Sequence, residues 1–503
     1  MKGVYPVAEV RAAEAALMAE LPPGALMQRA ATALATHCAR LLGRAYGARV
    51  VLLVGGGDNG GDALFAGARL AAAGARVDAL LLDPARAHAA GLAALRRHGG
   101  RTLAGVDPAL PQAADLIIDG ILGIGGKGDL RGAAIAAADA VATARATRRV
   151  PTVAVDLPSG VDADTGWAGE HAIRADVTVT FGVLKPGLIV GAGARHAGEV
   201  RLVDIGLTPP PARCEVLEGS DVAALLAAPG AVDDKYTRGV VGVVAGSDQY
   251  PGAGVLATGA ALLGGAGMVR YLGRAPRAVC ARYPEVVPGE PGQRPHEARV
   301  QAYVVGPGLG TDDQALARLA DVLRTDAPVI VDADAITLLA RAPGLVRGRR
   351  APTVLTPHDR EFARLTAAPS GPSLTVAPGM PSLTVTPAGS SLDTDRIGAA
   401  RRAAAELGVT VLLKGAATVV AAPDGMVRVN RTGTPWLATA GSGDVLSGLI
   451  GSLLAGGLDA PRAAAVGAYL HGVAGQLAAA EGPPTADDVL AALRPALGLV
   501  TGG

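Results

Sequence analysis

Short β-branched or leucine-rich runs alternate with alanine-rich stretches along nearly the whole chain, and this alternation limits the fold more than any other feature. In the first half the runs are Arg49–Val54, Arg76–Leu82, Leu116–Asp119, Thr152–Asp156, Val177–Phe181 and Val200–Ile205. Each has the length of a buried strand, and the stretches between them suit helices. Such alternation builds a largely parallel sheet covered by helices, an α/β fold. A second series follows at Val240–Ala245, Met268–Leu272, Gln301–Val305, Val329–Asp332, Thr353–Thr356, Val409–Lys414 and Thr418–Ala422. Between the two lies Thr208-Pro209-Pro210-Pro211, which neither continues a helix nor fits a central strand. The 503 residues exceed what one core organises, and two domains are expected, 1–212 and 220–503.

Apolar residues make up 50% of the chain but aromatics only 3%, so Ala, Val and Leu must fill the core at close helix–strand contacts. Forty-six basic residues against 45 acidic ones leave a net charge of +1, which argues against broad electrostatic capture of nucleic acid or an anionic membrane. A small-molecule partner is expected instead, as is a homo-oligomer. Cys38, Cys214 and Cys280 are far apart and odd in number, implying neither a disulfide framework nor a zinc cluster and fitting a reducing cytoplasm. Glu9, Arg11, Glu14 and Glu20 interrupt the apolar run of a secretory signal, so the N-terminus reads as an amphipathic helix. The longest apolar stretch, Ala253–Val269, is short for a bilayer span and reads as a buried helix. Between Ala367 and Ser391 a Pro/Ser/Thr-rich stretch repeats Ser373-Leu374-Thr375-Val376 as Ser382-Leu383-Thr384-Val385, the pattern of a mobile surface insertion.

The run Arg49–Val54 leads into a loop with G-x-G-x-x-G at Gly55, Gly57 and Gly60. An ordinary dinucleotide loop offers bare amides to a pyrophosphate, whereas Asp58 and Asp62 would repel one and suit sugar hydroxyls or a cation. A glycine-rich turn with solvated acids accounts for the same residues. Asp119 ends a second strand and is followed by Gly123-Ile124-Gly125-Gly126-Lys127-Gly128. That loop is no Walker A sequence, yet its amides and Lys127 suit an anion. Asp156-Leu157-Pro158-Ser159-Gly160 ends a third strand. All three segments lie at carboxyl ends of strands, where open α/β sheets bind ligands.

Together these segments closely resemble the epimerase domain that interconverts the R and S forms of hydrated NADH and NADPH, from the N-terminal helix to about Leu207. The resemblance implies a Rossmann-like three-layer α/β/α domain with Asn59, Asp119 and Ser159 as potassium ligands, oxygen donors of the kind a hard cation takes. It implies substrate binding at Asp58, Asn59, Gly60, Gly61 and Asp62, at Gly123, Ile124, Gly125, Gly126, Lys127, Gly128 and Asp129, and at Asp156. Inverting the hydroxyl-bearing carbon needs hydroxide loss or ring opening assisted by a proton carrier, and Asp156 is the candidate. The chain departs from that family at Asp58, where Asn is common, and at Ala63, where Gly is common.

In the second half, Lys414-Gly415-Ala416-Ala417-Thr418 follows an apolar strand. Its small residues would admit a nucleotide, and the lysine alone reads equally as a solvated strand cap. Further on, Gly441-Ser442-Gly443-Asp444 opens an apolar helix whose unpaired N–H groups can hold phosphate. A simple helix cap by Ser442 or Asp444 is the structural alternative. These two motifs in this order resemble the ribokinase-like superfamily over roughly Asp221–Leu497, which implies a second α/β/α domain with Asp444 as base toward a substrate hydroxyl.

Tyr250-Pro251-Gly252-Ala253-Gly254, Gly306-Pro307-Gly308-Leu309-Gly310 and Leu355-Thr356-Pro357-His358 with Glu361-Phe362 narrow the resemblance to the nucleotide-dependent dehydratase of S-form hydrated NAD(P)H. By position it implies hydrate binding at Ala253, Gly254, Gly308, His358 and Asp444, and nucleotide binding at Lys414, Gly415, Ala416, Ala417, Thr418 and Gly443. Mg²⁺ with ADP is the implied cofactor pair. Fused, the halves resemble bifunctional NAD(P)H-hydrate repair enzymes, with NADHX, NADPHX and ADP as small-molecule partners. A ribokinase-like kinase of a vitamin precursor or sugar, carrying a regulatory nucleotide-binding domain, is the alternative, and a non-catalytic first domain is a third reading.

Overall fold

The computed structural model describes residues 1–104, 109–226, 228–367, 392 and 394–502. The duplicated Ser-Leu-Thr-Val stretch lies outside the described residues. The chain divides into one unit of Gly3–Arg213 and another of Met1–Lys2 with Cys214–Gly503.

The first unit carries β1 (Arg49–Val54), β2 (Arg76–Leu81), β3 (Arg101–Ala104), β4 (Leu116–Gly120), β5 (Thr152–Val155), β6 (Val177–Phe181) and β7 (Glu199–Val203). They form a seven-stranded sheet in the order β3-β2-β1-β4-β5-β6-β7, every pair parallel. Side chains alternate across a strand, and β1 divides accordingly. Val50, Leu52 and Val54 pack with helices Ala25–Leu42 and Asp58–Ala72 on one face. Val51 and Leu53 pack with helix Ala133–Arg148 on the other. This is the helix-covered parallel sheet expected from the alternating runs, in the three layers that the resemblance implies. Each fully buried Val or Leu contributes roughly 1.5–3 kcal/mol.

The second unit carries β8 (Cys214–Val216), β9 (Val240–Val244), β10 (Met268–Tyr271), β11 (Val287–Pro288), β12 (Ala302–Val305), β13 (Val329–Val331), β14 (Thr353–Leu355), β15 (Thr410–Leu413), β16 (Thr418–Ala421) and β17 (Val427–Asn430). With the short strand Lys2–Gly3 leading, the sheet runs Lys2–Gly3, β8-β17-β16-β15-β14-β13-β12-β9-β10-β11. From β15 to β11 all neighbours are parallel, so their carboxyl ends share one edge. β15-β16 and β16-β17 are antiparallel.

The apolar stretch Ala253–Val269 differs from the single buried helix expected there. Helix Pro251–Leu263 ends at Gly264, and Met268 already belongs to β10. The glycines of 264–267 supply the turn, Gly265 with φ +101°. The low aromatic content is answered by close approach of small residues. A Cβ on Gly448 of helix Ser442–Ala455 would lie 2.1 Å from the carbonyl oxygen of Ala257, so glycine lets these two helices touch. No helix among the described residues is long and apolar enough to cross a membrane.

Candidate active sites

In the first unit the carboxyl ends of β1, β4 and β5 border a cavity of about 560 Å³, lined by Asp58, Asn59, Asp62, Gly123–Gly126 and Asp156. Helix Asp58–Ala72 starts directly after the β1 loop. Gly55 admits the backbone crossing there, since a Cβ on it would meet the Ile121 carbonyl oxygen at 2.0 Å. Gly60 and Gly61 are buried beneath the cavity, whereas Lys127 and Gly128 are exposed beyond it. Asp129 turns away to His171, its Oδ2 3.0 Å from Nδ1.

Asp156 has φ +64°, a left-handed conformation that a non-glycine residue holds at a cost of order 1–3 kcal/mol and that clusters at functional sites. Its Oδ1 accepts hydrogen bonds from Lys185 Nζ at 2.6 Å and Thr180 Oγ1 at 3.0 Å. Lys185 is 1% exposed and spends its remaining donors on Thr180 Oγ1 and the Phe181 carbonyl, both at 3.0 Å. Beside this pair, burial pushes the Asp62 carboxyl well above the usual range, reinforced by the charges of Asp156, Asp58 and Glu14. Burial likewise raises Glu14. Asp62 Oδ1 and Asn59 Nδ2 are buried without a hydrogen-bond partner among the described residues.

Asp119 lies beneath, fully buried at the end of β4. It accepts from Ser159 N at 2.8 Å, Ser159 Oγ at 2.6 Å and Ile121 N at 3.3 Å. Burial pushes its carboxyl up to about 6 despite these bonds. Asn59 Oδ1 borders the same segment, 2.8 Å from where a Gly123 Cβ would stand. A buried carboxylate with hydroxyl and amide oxygens nearby, and no cationic side chain bonded to it among the described residues, is a donor set suited to a hard monovalent cation. Ala63 does not line the cavity. Its Cβ packs 2.5 Å from the position of a Gly120 Cβ, so the glycine at 120 accommodates the extra methyl.

In the second unit the carboxyl ends of β9, β12, β13, β14 and β15 converge. Gly308 has φ +56°, and a Cβ on it would lie 2.8 Å from Ala253 Cβ, so the Gly306–Gly310 turn sits against the start of helix Pro251–Leu263. Lys414 Nζ lies 2.8 Å from Asp332 Oδ1 and 3.8 Å from Glu361 Oε2. Asp332 Oδ2 accepts from Ser447 Oγ at 2.6 Å, tying β13 to helix Ser442–Ala455. Gly443 lies beside this pair, a Cβ there standing at ordinary contact distance, 3.5 Å from Lys414 Nζ and 3.7 Å from Asp332 Oδ2. Gly415 and Ala416 are exposed, while Ala417 is buried and Thr418 opens β16.

Burial pushes the Asp444 carboxyl up to about 7, and the like charges of Asp332 and Asp334 add to this against the opposing pull of Lys414. Burial alone would lower the Lys414 ammonium, but Asp332 and Glu361 more than offset it and raise it. Asp444 is thus a carboxyl near neutrality beside a strongly held cation, the pairing that proton transfer next to an anionic group requires. His358 caps helix Asp359–Ala367: its Nδ1 accepts from Arg360 N at 3.1 Å and Glu361 N at 3.3 Å, and its own N donates to Glu361 Oε2 at 2.8 Å. Capping fixes the ring and leaves its side chain 48% exposed, so the structural and binding readings of this histidine are compatible.

A family model described as NAD(P)H-hydrate dehydratase matches residues 241–493. The bifunctional NAD(P)H-hydrate repair enzyme Nnr of Mycobacterium leprae (strain TN) is 50% identical over 489 residues, covering 96% of each chain. The chain belongs to that repair-enzyme family. A second model, YjeF-related protein N-terminus, matches residues 23–187. The family member of the same name from Mycobacterium tuberculosis (strain ATCC 25618 / H37Rv) is 51% identical over 475 residues, 92% of each chain. Among solved structures, the ADP/ATP-dependent NAD(P)H-hydrate dehydratase from Bacillus subtilis co-crystallised with ATP/Mg²⁺ is 28% identical, with a TM-score of 0.49 over 57% of this chain and 98% of that one.

Several polar residues at these sites escaped the sequence reading. Lys185, Thr180 and Glu14 surround Asp156 and Asp62, and Asp332 and Ser447 lie beside Lys414 and Asp444, where Glu361, read in the sequence only as a motif residue, also stands. The signal available for Asp332 was Asp332-Ala333-Asp334 at the end of an apolar strand. Ala333, with φ +50°, is a second left-handed non-glycine residue at such a strand end.

Proposed function

We propose that the chain repairs hydrated NADH and NADPH in two steps, the first unit epimerising the R and S hydrates and the second dehydrating the S hydrate with ADP. The observation that carries this reading is Asp444, a carboxyl raised to about 7 at the start of helix Ser442–Ala455 and next to Lys414. Asp444 takes the hydroxyl proton of the hydrate as the terminal phosphoryl of ADP passes to that oxygen and AMP leaves. The ring nitrogen's electron pair then expels phosphate, and loss of a proton from the neighbouring carbon restores the dihydronicotinamide. The amides of Ser442–Asp444 and the Lys414 ammonium stabilise the phosphoryl charge. Mg²⁺ supplies charge neutralisation on the phosphates. Such an ion keeps several waters and needs few protein ligands, in keeping with the absence of a three-ligand His/Cys/Asp/Glu cluster among the described residues.

In the first unit Asp156, held by Lys185, and Asp62, pushed toward its protonated form, supply acceptor and donor as the hydroxyl-bearing carbon inverts. Asn59, Asp119 and Ser159 hold potassium, whose charge balances Asp119. The test is an acid-generated hydrate mixture incubated with the full chain, ADP and Mg²⁺. NADH or NADPH, AMP and inorganic phosphate are expected in equal amounts, with both epimers consumed. Phosphate left on a small alcohol, or no reduced cofactor from folded protein, overturns the reading.

A further inference from the structure

The second unit has a further cavity of about 610 Å³, at the carboxyl ends of β10 and β11 and beyond the Gly306–Gly310 turn. Its walls carry Arg274, Arg294 and Arg318 with Gln293 and Gln314 and the carboxylates of Glu290 and Asp321, the former exposed. Asp321 is already matched, by Arg294 at 3.0 Å, His296 at 2.6 Å and Arg324. Among the described residues Arg274 has only the exposed Asp312 carboxylate, at 3.5 Å. Arg318 has no carboxylate within ion-pair distance among the described residues.

Arg274 Nε and Arg318 Nε are also buried without a hydrogen-bond partner among the described residues. Burial, and then the nearness of Arg274, lowers the Arg318 guanidinium from its ordinary value. Arg274 donates Nη1 to Gln314 Oε1 at 2.8 Å and Nη2 to the Leu309 carbonyl at 2.9 Å, and Arg318 donates Nη2 to the Leu272 carbonyl, so the η nitrogens rest mainly on neutral acceptors, and two neighbouring guanidiniums at one cavity repel each other until an anion joins them. Planar forks of this kind match phosphate oxygens in pairs.

Arg274 ties the cavity to the hydrate site, since its Nη2 donates to the Leu309 carbonyl at 2.9 Å, inside the glycine-rich turn that touches Ala253. Resting on the dehydratase reading above, we propose that this cavity binds a phosphate group of the hydrated dinucleotide, through Arg274 and Arg318. Two phosphates of the substrate class have this chemistry: the pyrophosphate common to NADHX and NADPHX, and the 2′-phosphate of NADPHX alone.

The experiment compares dehydration of the two hydrates by the wild-type chain, Arg318→Gln, Arg318→Lys and Gln314→Glu. The last puts a carboxylate at an exposed position beside Arg274 Nη1, which Gln314 Oε1 now meets at 2.8 Å, without opening a void. Arg318→Gln and Gln314→Glu are expected to raise KM by about 10-fold or more, the loss that follows removal of a charge-assisted hydrogen bond, with kcat little changed. Arg318→Lys should recover part of that loss. A rise confined to NADPHX assigns the 2′-phosphate, and an equal rise for both hydrates assigns the pyrophosphate.

Unchanged KM for both hydrates in folded Arg318→Gln and Gln314→Glu overturns the proposal, as does a fall in kcat alone. If the wild-type chain turns over neither hydrate, the dehydratase reading itself fails. Calorimetric titration of the same variants with NADP⁺ and NAD⁺ then still decides the cavity's role: weakened binding supports it and undiminished binding ends it.

Discussion

Lys185 Nζ lies 2.6 Å from Asp156 Oδ1, with the lysine 1% exposed and the aspartate in a left-handed backbone conformation. The pair joins β6 and its following loop to the end of β5, so it serves both the folding of the first unit and its proposed chemistry. Lys185→Met leaves an uncompensated buried carboxylate and should destabilise the first unit by about 3–5 kcal/mol. Denaturant unfolding checks this. Lys185→Met with Asp156→Leu removes both charges and should recover most of the stability while epimer exchange stays absent.

Asp444→Asn should lower dehydration by roughly 10²–10⁴-fold and leave epimer exchange intact, because the two reactions use different units. Separate assays of each on one preparation decide it. Loss of both in folded protein contradicts separate sites.

The Asp444 carboxyl, raised to about 7, sets a pH limb. A base must be unprotonated, so dehydration falls as pH drops through about 7. Asp332→Asn removes the like charge nearest in effect after burial and should move that limb to lower pH. The stability sign is opposite: a raised carboxyl contributes stability below its unfolded value near 4 and loses it as pH rises through about 7. Asp444→Asn should therefore raise the unfolding midpoint more at pH 8 than at pH 5.

Asp119, raised to about 6 by burial, should make the first unit respond to potassium in a pH-dependent way. Above pH 6 the charged carboxylate benefits from a cation, and below it the protonated form does not. KCl in place of choline chloride is expected to raise Tm and epimer exchange at pH 8 and to do little at pH 5. Asp119→Asn should abolish the difference.

Gly308→Ala places a methyl 2.8 Å from Ala253 Cβ at φ +56°. The strained conformation alone costs of order 1–3 kcal/mol, and the methyl crowds the proposed hydrate position. KM for the hydrate should rise, and adding Ala253→Gly should relieve only part of the crowding, since Tyr250 Cβ and its carbonyl oxygen also stand 3.0 Å from the methyl, and none of the backbone cost.

The two sheets were legible because strands buried on both faces read as unbroken apolar runs, as β1 and β9 do. The strands that escaped, Lys2–Gly3, Arg101–Ala104, Cys214–Val216, Val287–Pro288 and Val427–Asn430, are at most four residues long. Most lie toward sheet edges, where charged residues mask the pattern. Glycine-rich loops at strand ends announced themselves, since close backbone approach leaves a compositional mark. Their partners did not: Lys185 meets Asp156 across 29 residues and Lys414 meets Asp332 across 82. A lysine after an apolar strand looks the same in sequence whether it is solvated or paired. Which loop residues face the cavity was equally hidden, for Asp129 is turned aside by His171, a contact made 42 residues away.

Asp332 divides its two oxygens between Lys414 and Ser447 while its charge bears on Asp444. The two members of the Asp332–Lys414 pair pull Asp444 in opposite directions, the Asp332 charge raising its proton affinity and the Lys414 ammonium lowering it. The three side chains thus form one electrical unit, in which a change of charge at Lys414 or Asp332 is felt as a change in proton affinity at Asp444.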